Sequence, residues 1–441
     1  MAEGLLLASA GPAAAAPTVD AAKLKERLDA LAQEETACES ATREQIPAYQ
    51  WASQVQIPAG ATLLTAIRGM SDTGVLEYTF CENGIAVVAA CAAGGTPPQT
   101  AFIEQDPEAL RDRIAKVRDM IFDRKGEVYA EAKGLYELLV KPVEGALGGA
   151  KRLWVVADGA LQLIPFGALI DGSGYAIAQV MPVASVPSLS LALADRGKRP
   201  KPEHSAVVIA APDTGALPAI EAEGDAGKRG AYMPIRGAYM PIRGGDGVST
   251  ALTSMASVPL PGAKAEGEAV AQLFAGSVLL TGKDAVKQRL WDEGGSCDIL
   301  HIATHGYVDP EVPEFSGLLL HGEGETPYEV LTAQDVWQWP LQARLVTLSA
   351  CQTGLGRTVE GEGLLGLTRA FIYAGAQDVV CSLWPVSDES TAKLMTEFYK
   401  ALTAGKATED ALTEAQRSLI ADEKTRHPFY WAGFVAVRGP K

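Results

Sequence analysis

Apolar and polar positions along this chain follow two alternating regimes. In residues 19–35, VDAAKLKERLDALAQEE, the residues Ala22, Leu24, Leu28 and Leu31 fall at helical spacing with mixed charges between them. That spacing predicts an amphipathic helix. After Pro47 the texture changes to short apolar runs, ATLLTAIRGM, GVLEYTFCEN and GIAVVAACAA, separated by Ser-Asp-Thr-Gly and Glu-Asn-Gly. Such runs read as strands with turns between them, and Asn83-Gly84 is a hairpin signal. Residues 107–149 return to helical periodicity, with Pro107 near a start and Gly148-Gly149 at a stop.

From residue 152 strand and helix patterns alternate. LWVVA (153–157), AVVIAAP (206–212), GSVLLTG (276–282), CDILHIATHG (297–306), ARLVTLSACQTG (343–354) and QDVVCSLWPV (377–386) are strand-like. Helical stretches at 263–274, 283–293, 361–375 and 388–404 lie between them. Strands apolar on both faces, alternating with helices, predict an α/β fold with a mostly parallel sheet flanked by helices. The earlier region forms an N-terminal helical and β-hairpin extension. Accordingly, residues 1–17 read as a flexible alanine-rich tail, 18–125 as helix plus hairpin, and 126–439 as the main domain. Residues 213–258 break the regularity: they are rich in glycine, alanine and serine and have no usable period. A loop this long is usually functional or disordered. Inside it GAYMPIR occurs twice, at 230–236 and 237–243, so Arg229, Arg236 and Arg243 recur seven residues apart, each followed by glycine. The plain reading is slippage in a segment under little constraint; the sharper one is a set of exposed Arg-Gly bonds for a protease.

Composition narrows the function classes. The chain has 441 residues, 47% of them hydrophobic and 21% charged, enough to build a large core. Its formal net charge of −16 argues against a nucleic-acid binder or a protein held on anionic lipid, and suits basic ligands. The six cysteines are too sparse for a disulfide framework, and no pair has C-x-x-C spacing. With five histidines as well, no metal site and no cofactor are expected. The N-terminus lacks a basic n-region, and no run of 18 apolar residues occurs, so neither a signal peptide nor a membrane span is expected. A reduced, cytoplasmic setting fits these features.

The residues that carry chemistry stand at two strand ends. One strand stops at Thr304-His305-Gly306 and another at Ser349-Ala350-Cys351. In an open parallel sheet, ligands bind outside the carboxyl ends of the strands, so this pattern brings an imidazole and a thiol to one edge. The roughly 46 residues between His305 and Cys351 suit one crossover and match the roughly 50-residue offset of caspases. An imidazole turns a thiol into a nucleophile and then protonates a departing amine. The backbone N–H groups of Gly306 and Cys351 are candidate oxyanion donors. His301, inside the strand, reads as a packing or orienting residue. Cys38, Cys81, Cys91, Cys297 and Cys381 read as core, and His204, His321 and His427 as surface or structural.

These residues carry a family resemblance. LWVVADGALQLIPFGAL (153–169), Val186-Pro187-Ser188, DILHIATHG, SGLLL (316–320), LVTLSACQTGLG, GEGLLGLTRAFIYAGAQDVVCSLWPVSDEST (361–391) and FYWAGFVAVRG (429–439) resemble, in order, the blocks of the CHAT domain. CHAT domains are caspase-like cysteine peptidases in the clan of caspases, separase, metacaspases and gingipains. The resemblance implies a caspase-like fold, His305 as general base and acid, Cys351 as nucleophile, protein substrates and a possible upstream activating protease. It also implies a bacterial defence or cell-death cascade, CRISPR-linked ones included. For the pocket that selects the residue before the cut, Asp158 and Asp388 match positions where related peptidases keep acids; Glu360 and Glu362 are weaker candidates. An acidic pocket would select arginine. Either aspartate serves equally as a helix N-cap. Long tetratricopeptide arrays often precede CHAT domains, and the stretch before this one is too short for three repeats of roughly 34 residues. The alternative is a catalytically silent CHAT module that binds a partner.

Overall fold

The computed structural model describes residues 70, 72–93, 97–194, 197–215, 256, 258–307, 316–324, 326–350, 366–384 and 388–440. The candidate helix at 19–35 and the GAYMPIR duplication, with Arg229, Arg236 and Arg243, lie outside the described residues, as does Cys351. The chain forms two units. The first comprises residues up to 120, then 125–198 and those from 438 onward; the second comprises 121–124 and 199–437.

In the first unit, β1 (Thr73–Cys81) and β2 (Gly84–Cys91) form the hairpin that Asn83-Gly84 predicts, with Cys81 opposite Gly84. β3 (Gln99–Glu104) adds antiparallel to β2. The helices α1 (Pro107–Phe122), whose last two residues group with the second unit, and α2 (Val128–Leu139) follow. β4 (Arg152–Val156) then lies parallel to β1, and β5 (Val183–Ser185) parallel to β4. The strand order is β3-β2-β1-β4-β5. Where the periodicity read as one helical stretch over 107–149, the chain makes two α-helices and a 3-10 turn at Lys141–Leu147. Arg124 supplies the break: its φ of 56° is left-handed and ends the first helix ahead of Gly126.

The second unit opens with β6 (His204–Pro212), followed by α3 (Pro261–Gln272), β7 (Val278–Gly282), α4 (Lys287–Gly294) and β8 (Cys297–Ala303). A small antiparallel sheet comes next: β9 (Gly306–Tyr307), β10 (Gly317–His321) and β11 (Tyr328–Thr332), closed by α5 (Ala333–Trp337). The chain continues through β12 (Leu345–Leu348), α6 (Leu367–Ala374), β13 (Asp378–Ser382), α7 (Asp388–Thr403), α8 (Thr408–Ala421) and β14 (Phe434–Arg438). The order of this unit's large sheet is β14-β13-β12-β8-β6-β7. β7, β6, β8, β12 and β13 all run parallel.

Their apolar runs explain the order. Ala206 to Ala210 and Ile299 to Ala303 are each 0% exposed at every residue, so both faces of these strands are covered. Each fully buried Leu, Ile or Val there contributes about 1.5–3 kcal/mol. The helix α3 carries a buried stripe at Ala263, Glu266, Gly267, Val270 and Ala271, the i, i+3, i+4 pattern of an amphipathic helix. Gly267 lets it come close: a Cβ there would stand 2.3 Å from the Ala210 Cβ of β6. One member of the stripe, Glu266, is a carboxylate. The architecture is thus α/β, a mostly parallel sheet flanked by helices with an N-terminal hairpin.

Candidate active site

Parallel β8 and β12 lie side by side, with His301 opposite Thr347 and Ile302 opposite Leu348. Both chains therefore leave the sheet at the same edge. β8 gives way to Thr304 and His305, and β10 grips both: Leu319 N–H donates to the His305 carbonyl (3.0 Å), and the Thr304 hydroxyl donates to the Leu319 carbonyl (2.6 Å). Gly306 continues into β9 opposite Leu318. His305 is 1% exposed. Its Nε2 lies 2.8 Å from the Val258 carbonyl, just ahead of α3. A carbonyl only accepts, so Nε2 carries a proton, and in the neutral form of the ring the lone pair that can act as a base is on Nδ1.

On β12 the chain is held as firmly. Ser349 N–H donates to the Ile302 carbonyl of β8 at 2.9 Å. The Ala350 carbonyl accepts the hydroxyl of Ser382 at the end of β13. Ala350, the residue immediately before Cys351, is thus fixed from the β13 side, and its neighbour Ser349 from β8.

The two ends of the 213–258 segment also meet at this edge. Thr214, 3% exposed, donates its hydroxyl to the Ala256 carbonyl at 2.8 Å. The Asp213 carbonyl accepts the His321 Nδ1–H at 2.6 Å. Ala256 packs with Tyr307 and Leu319 in one small core. Residues 213–215, 256 and 258 are therefore anchored chain; the remainder of the segment lies outside the described residues.

Of the S1 candidates, Asp158 belongs to the first unit, where its carboxylate accepts the Phe80 N–H at 2.9 Å. It starts a 3-10 turn without capping it through its side chain. Asp388 is the first residue of α7. Glu360 and Glu362 lie outside the described residues. Among the other histidines, His204 sits 3.0 Å from Glu293, and His427 Nδ1 accepts the Phe429 N–H at 3.2 Å. His301 is fully buried in β8 with Tyr399 on one ring nitrogen and Glu266 near the other.

The described cysteines, Cys81, Cys91, Cys297 and Cys381, are free thiols. Burial pushes Cys297 up to about 12, with the nearby Asp298 charge adding to it, and burial pushes Cys381 up to about 11. At neutral pH both are protonated and poor nucleophiles. No group of three or more His, Cys, Asp or Glu able to hold a metal occurs among the described residues. No described helix is long and apolar enough to cross a membrane.

Several site partners left little trace in the sequence. The Val258 carbonyl is backbone, which no residue type reveals. Ser382 and Thr347 sit inside apolar strands. Glu266 did leave a signal: a carboxylate within the apolar stripe of a helix.

A parallel α/β sheet with an oriented imidazole at its carboxyl edge defines the class to which this molecule belongs. Residues 130–439 match the model of the CHAT domain, and the chain belongs to that family, with its caspase-like fold. Tetratricopeptide repeat protein 28 of Homo sapiens is 28% identical over 349 residues, which cover 69% of this chain and 13% of the relative. Its Mus musculus counterpart is 27% identical over 354 residues, with the same coverage of each chain. The chain thus spans a small part of the length of these relatives. Among solved structures, the Saccharomyces cerevisiae separase–securin complex aligns over 86% of this chain and 31% of that one, with 9% identity and a TM-score of 0.46. The Arg-specific cysteine proteinase gingipain R (RGPB) aligns over 76% of this chain and 74% of its own, with 9% identity and a TM-score of 0.38.

Proposed function

We propose that this protein is a cysteine endopeptidase in which Cys351 is the nucleophile and His305 the general base and acid. The observation that supports this most is the hydrogen bond from His305 Nε2 to the Val258 carbonyl, which leaves Nδ1 as the base at the edge where β12 runs on toward Cys351. Nδ1 takes the thiol proton as Sγ adds to the scissile carbonyl carbon. The N–H groups of Gly306 and Cys351 hold the oxyanion. Nδ1–H then protonates the leaving amine, and a water activated by the same nitrogen hydrolyses the thioester to release the acid.

Preference for arginine before the cut is supported by the acidic chain and by Asp388, in the same unit as His305, as a candidate pocket acid. Arg229, Arg236 and Arg243 are candidate processing sites, cut by the enzyme itself or by an upstream protease, within a cascade of the defence or cell-death kind that the family resemblance implies. The partners are then protein substrates.

Fluorogenic peptides ending in Arg, Lys, Asp or Leu, assayed with wild type, Cys351→Ala and His305→Ala, test this reading. The expected result is turnover of the Arg peptide that falls at least about a thousandfold in either variant. Absence of turnover, before and after limited proteolysis, sinks the peptidase reading and leaves a partner-binding CHAT module. Mass spectrometry of wild type and Cys351→Ala reads the loop: full activity with all three Arg-Gly bonds intact rules out processing there.

A further inference from the structure

Beneath the candidate site lies a polar cluster that the chemistry above does not use. Glu266, His301, Thr347 and Tyr399 are each 0–1% exposed. The Tyr399 hydroxyl donates to Thr347 Oγ1 at 2.7 Å, and His301 Nδ1 lies 3.0 Å from the same hydroxyl. With its own proton committed to Thr347, the phenol oxygen accepts from His301 Nδ1–H. The other ring nitrogen, Nε2, stands 3.2 Å from Glu266 Oε1. The two atoms thus stand within ion-pair distance of each other inside the fold. This is how a carboxylate and an imidazole can both be buried without the large penalty of an isolated ion.

The position of the cluster in the fold gives it meaning. His301 and Thr347 face each other in register on β8 and β12. Each stands four residues before a candidate catalytic residue, His305 on one chain and Cys351 on the other. Glu266 belongs to α3, the helix that follows the Val258 carbonyl, and Tyr399 belongs to α7, the helix that starts at Asp388. The four side chains therefore join the four elements whose ends carry the nucleophile, the base, the carbonyl that orients the base, and a candidate pocket acid. Tyr399 is the hub, since it alone bonds to both strands. Ring contacts seat it further: His301 at 5.5 Å, Phe274 at 5.7 Å and Phe398 at 4.9 Å between centroids.

We propose that Tyr399 is a positioning residue: through His301, Thr347 and Glu266 it locks β8, β12, α3 and α7 together and so sets where His305 stands against the end of β12. This rests on the peptidase reading for its effect on rate, but not for its effect on the His305 ring. A shift of a few tenths of an ångström at the cluster is carried along rigid strands to both reacting groups, and catalysis is steeply sensitive to such misplacement.

The test uses the full chain with Tyr399→Phe, which keeps the ring and removes only the hydroxyl, and the pair Thr347→Val and Thr347→Ser. Two readouts are taken. Steady-state cleavage of an Arg-coumarin peptide, normalised to titrated active sites, separates kcat from KM. Nitrogen-15 spectra of histidine-labelled protein, with His305 assigned through His305→Gln, report its tautomer. Tyr399→Phe and Thr347→Val are expected to lower kcat about ten- to a hundredfold with KM within about twofold. They should also convert the single Nε2–H signature of His305 into a mixture, while Thr347→Ser stays close to wild type in both. Should Tyr399→Phe fail to fold, the Thr347 pair decides alone. If wild type turns over no peptide, the peptidase reading fails, and the His305 spectra still decide this one. An unchanged kcat together with an unchanged His305 signature, even beside a lowered melting temperature, makes the cluster merely structural and overturns the proposal.

Discussion

At the scale of single residues, the candidate base stands out in the sequence and its partners do not. His305 stands out in the sequence because it ends an apolar run and precedes glycine. The Val258 carbonyl that orients it comes from a segment with no periodicity, some distance back in the chain, and only folding brings the two to 2.8 Å. Cysteine shows the same division. The sequence offers six thiols, and burial sorts the described ones: Cys297 is pushed up to about 12 and Cys381 up to about 11, from an ordinary value of 9.0. This has a consequence for stability at alkaline pH. The folded protein holds these thiol protons more tightly than the unfolded chain does, so their contribution is complete below pH 9 and is lost as pH rises toward the folded values. Each thiol removes at most about 1.4 kcal/mol per pH unit in that window. Tyr78 and Tyr399, both raised by burial, act with the same sign at higher pH. Urea midpoints between pH 8 and 11 should therefore fall with pH, and fall less steeply in Cys297→Ala and Cys381→Ala. Parallel slopes in wild type and both variants would show that these thiols titrate in the folded state.

At the scale of elements, periodicity located the large parallel strands because each is a short, mainly apolar run bounded by turn or helix residues. It did not locate β9, β10 and β11, whose short runs are fixed by pairing with one another and by the grip of Leu319 on Thr304 and His305. Nor did it separate α1 from α2, since a single left-handed residue, Arg124, breaks an otherwise helical pattern. Helix α3 shows how one small residue governs an element. Gly267 is exchangeable by propensity, since alanine favours helices by about 1 kcal/mol. Here the exchange works the other way: the added methyl meets the Ala210 Cβ at 2.3 Å and must push α3 off β6. Gly267→Ala is expected to destabilise by about 1–3 kcal/mol, as overpacking does, measured by chemical denaturation. Because the neighbouring Glu266 reaches His301 from this helix, the same variant should also disturb the His305 nitrogen-15 signature. A stability equal to or above wild type would mean that the helix–sheet spacing yields freely.

At the scale of the whole molecule, the −16 charge and the α/β class were visible from composition and pattern alone, whereas strand order was not. In the second unit β6 comes first in the chain, yet it lies between β8 and β7, both of which follow the long 213–258 segment. Backbone bonds join it to one neighbour on each side, with His204 opposite Cys297 and Val207 opposite Val278. A single cut between residues 215 and 256 would therefore divide the covalent chain without dividing the sheet, because one fragment keeps its strand inserted between two strands of the other. Limited trypsin digestion at the Arg-Gly bonds should give two bands on a denaturing gel but one peak of unchanged volume in size-exclusion chromatography; two peaks would refute this. The nicked protein would be a heterodimer made from one gene product, its halves interleaved rather than merely adjoining. Such a cut could be made without disassembly, and it would be hard to reverse, since refolding would then require two separate molecules to find each other.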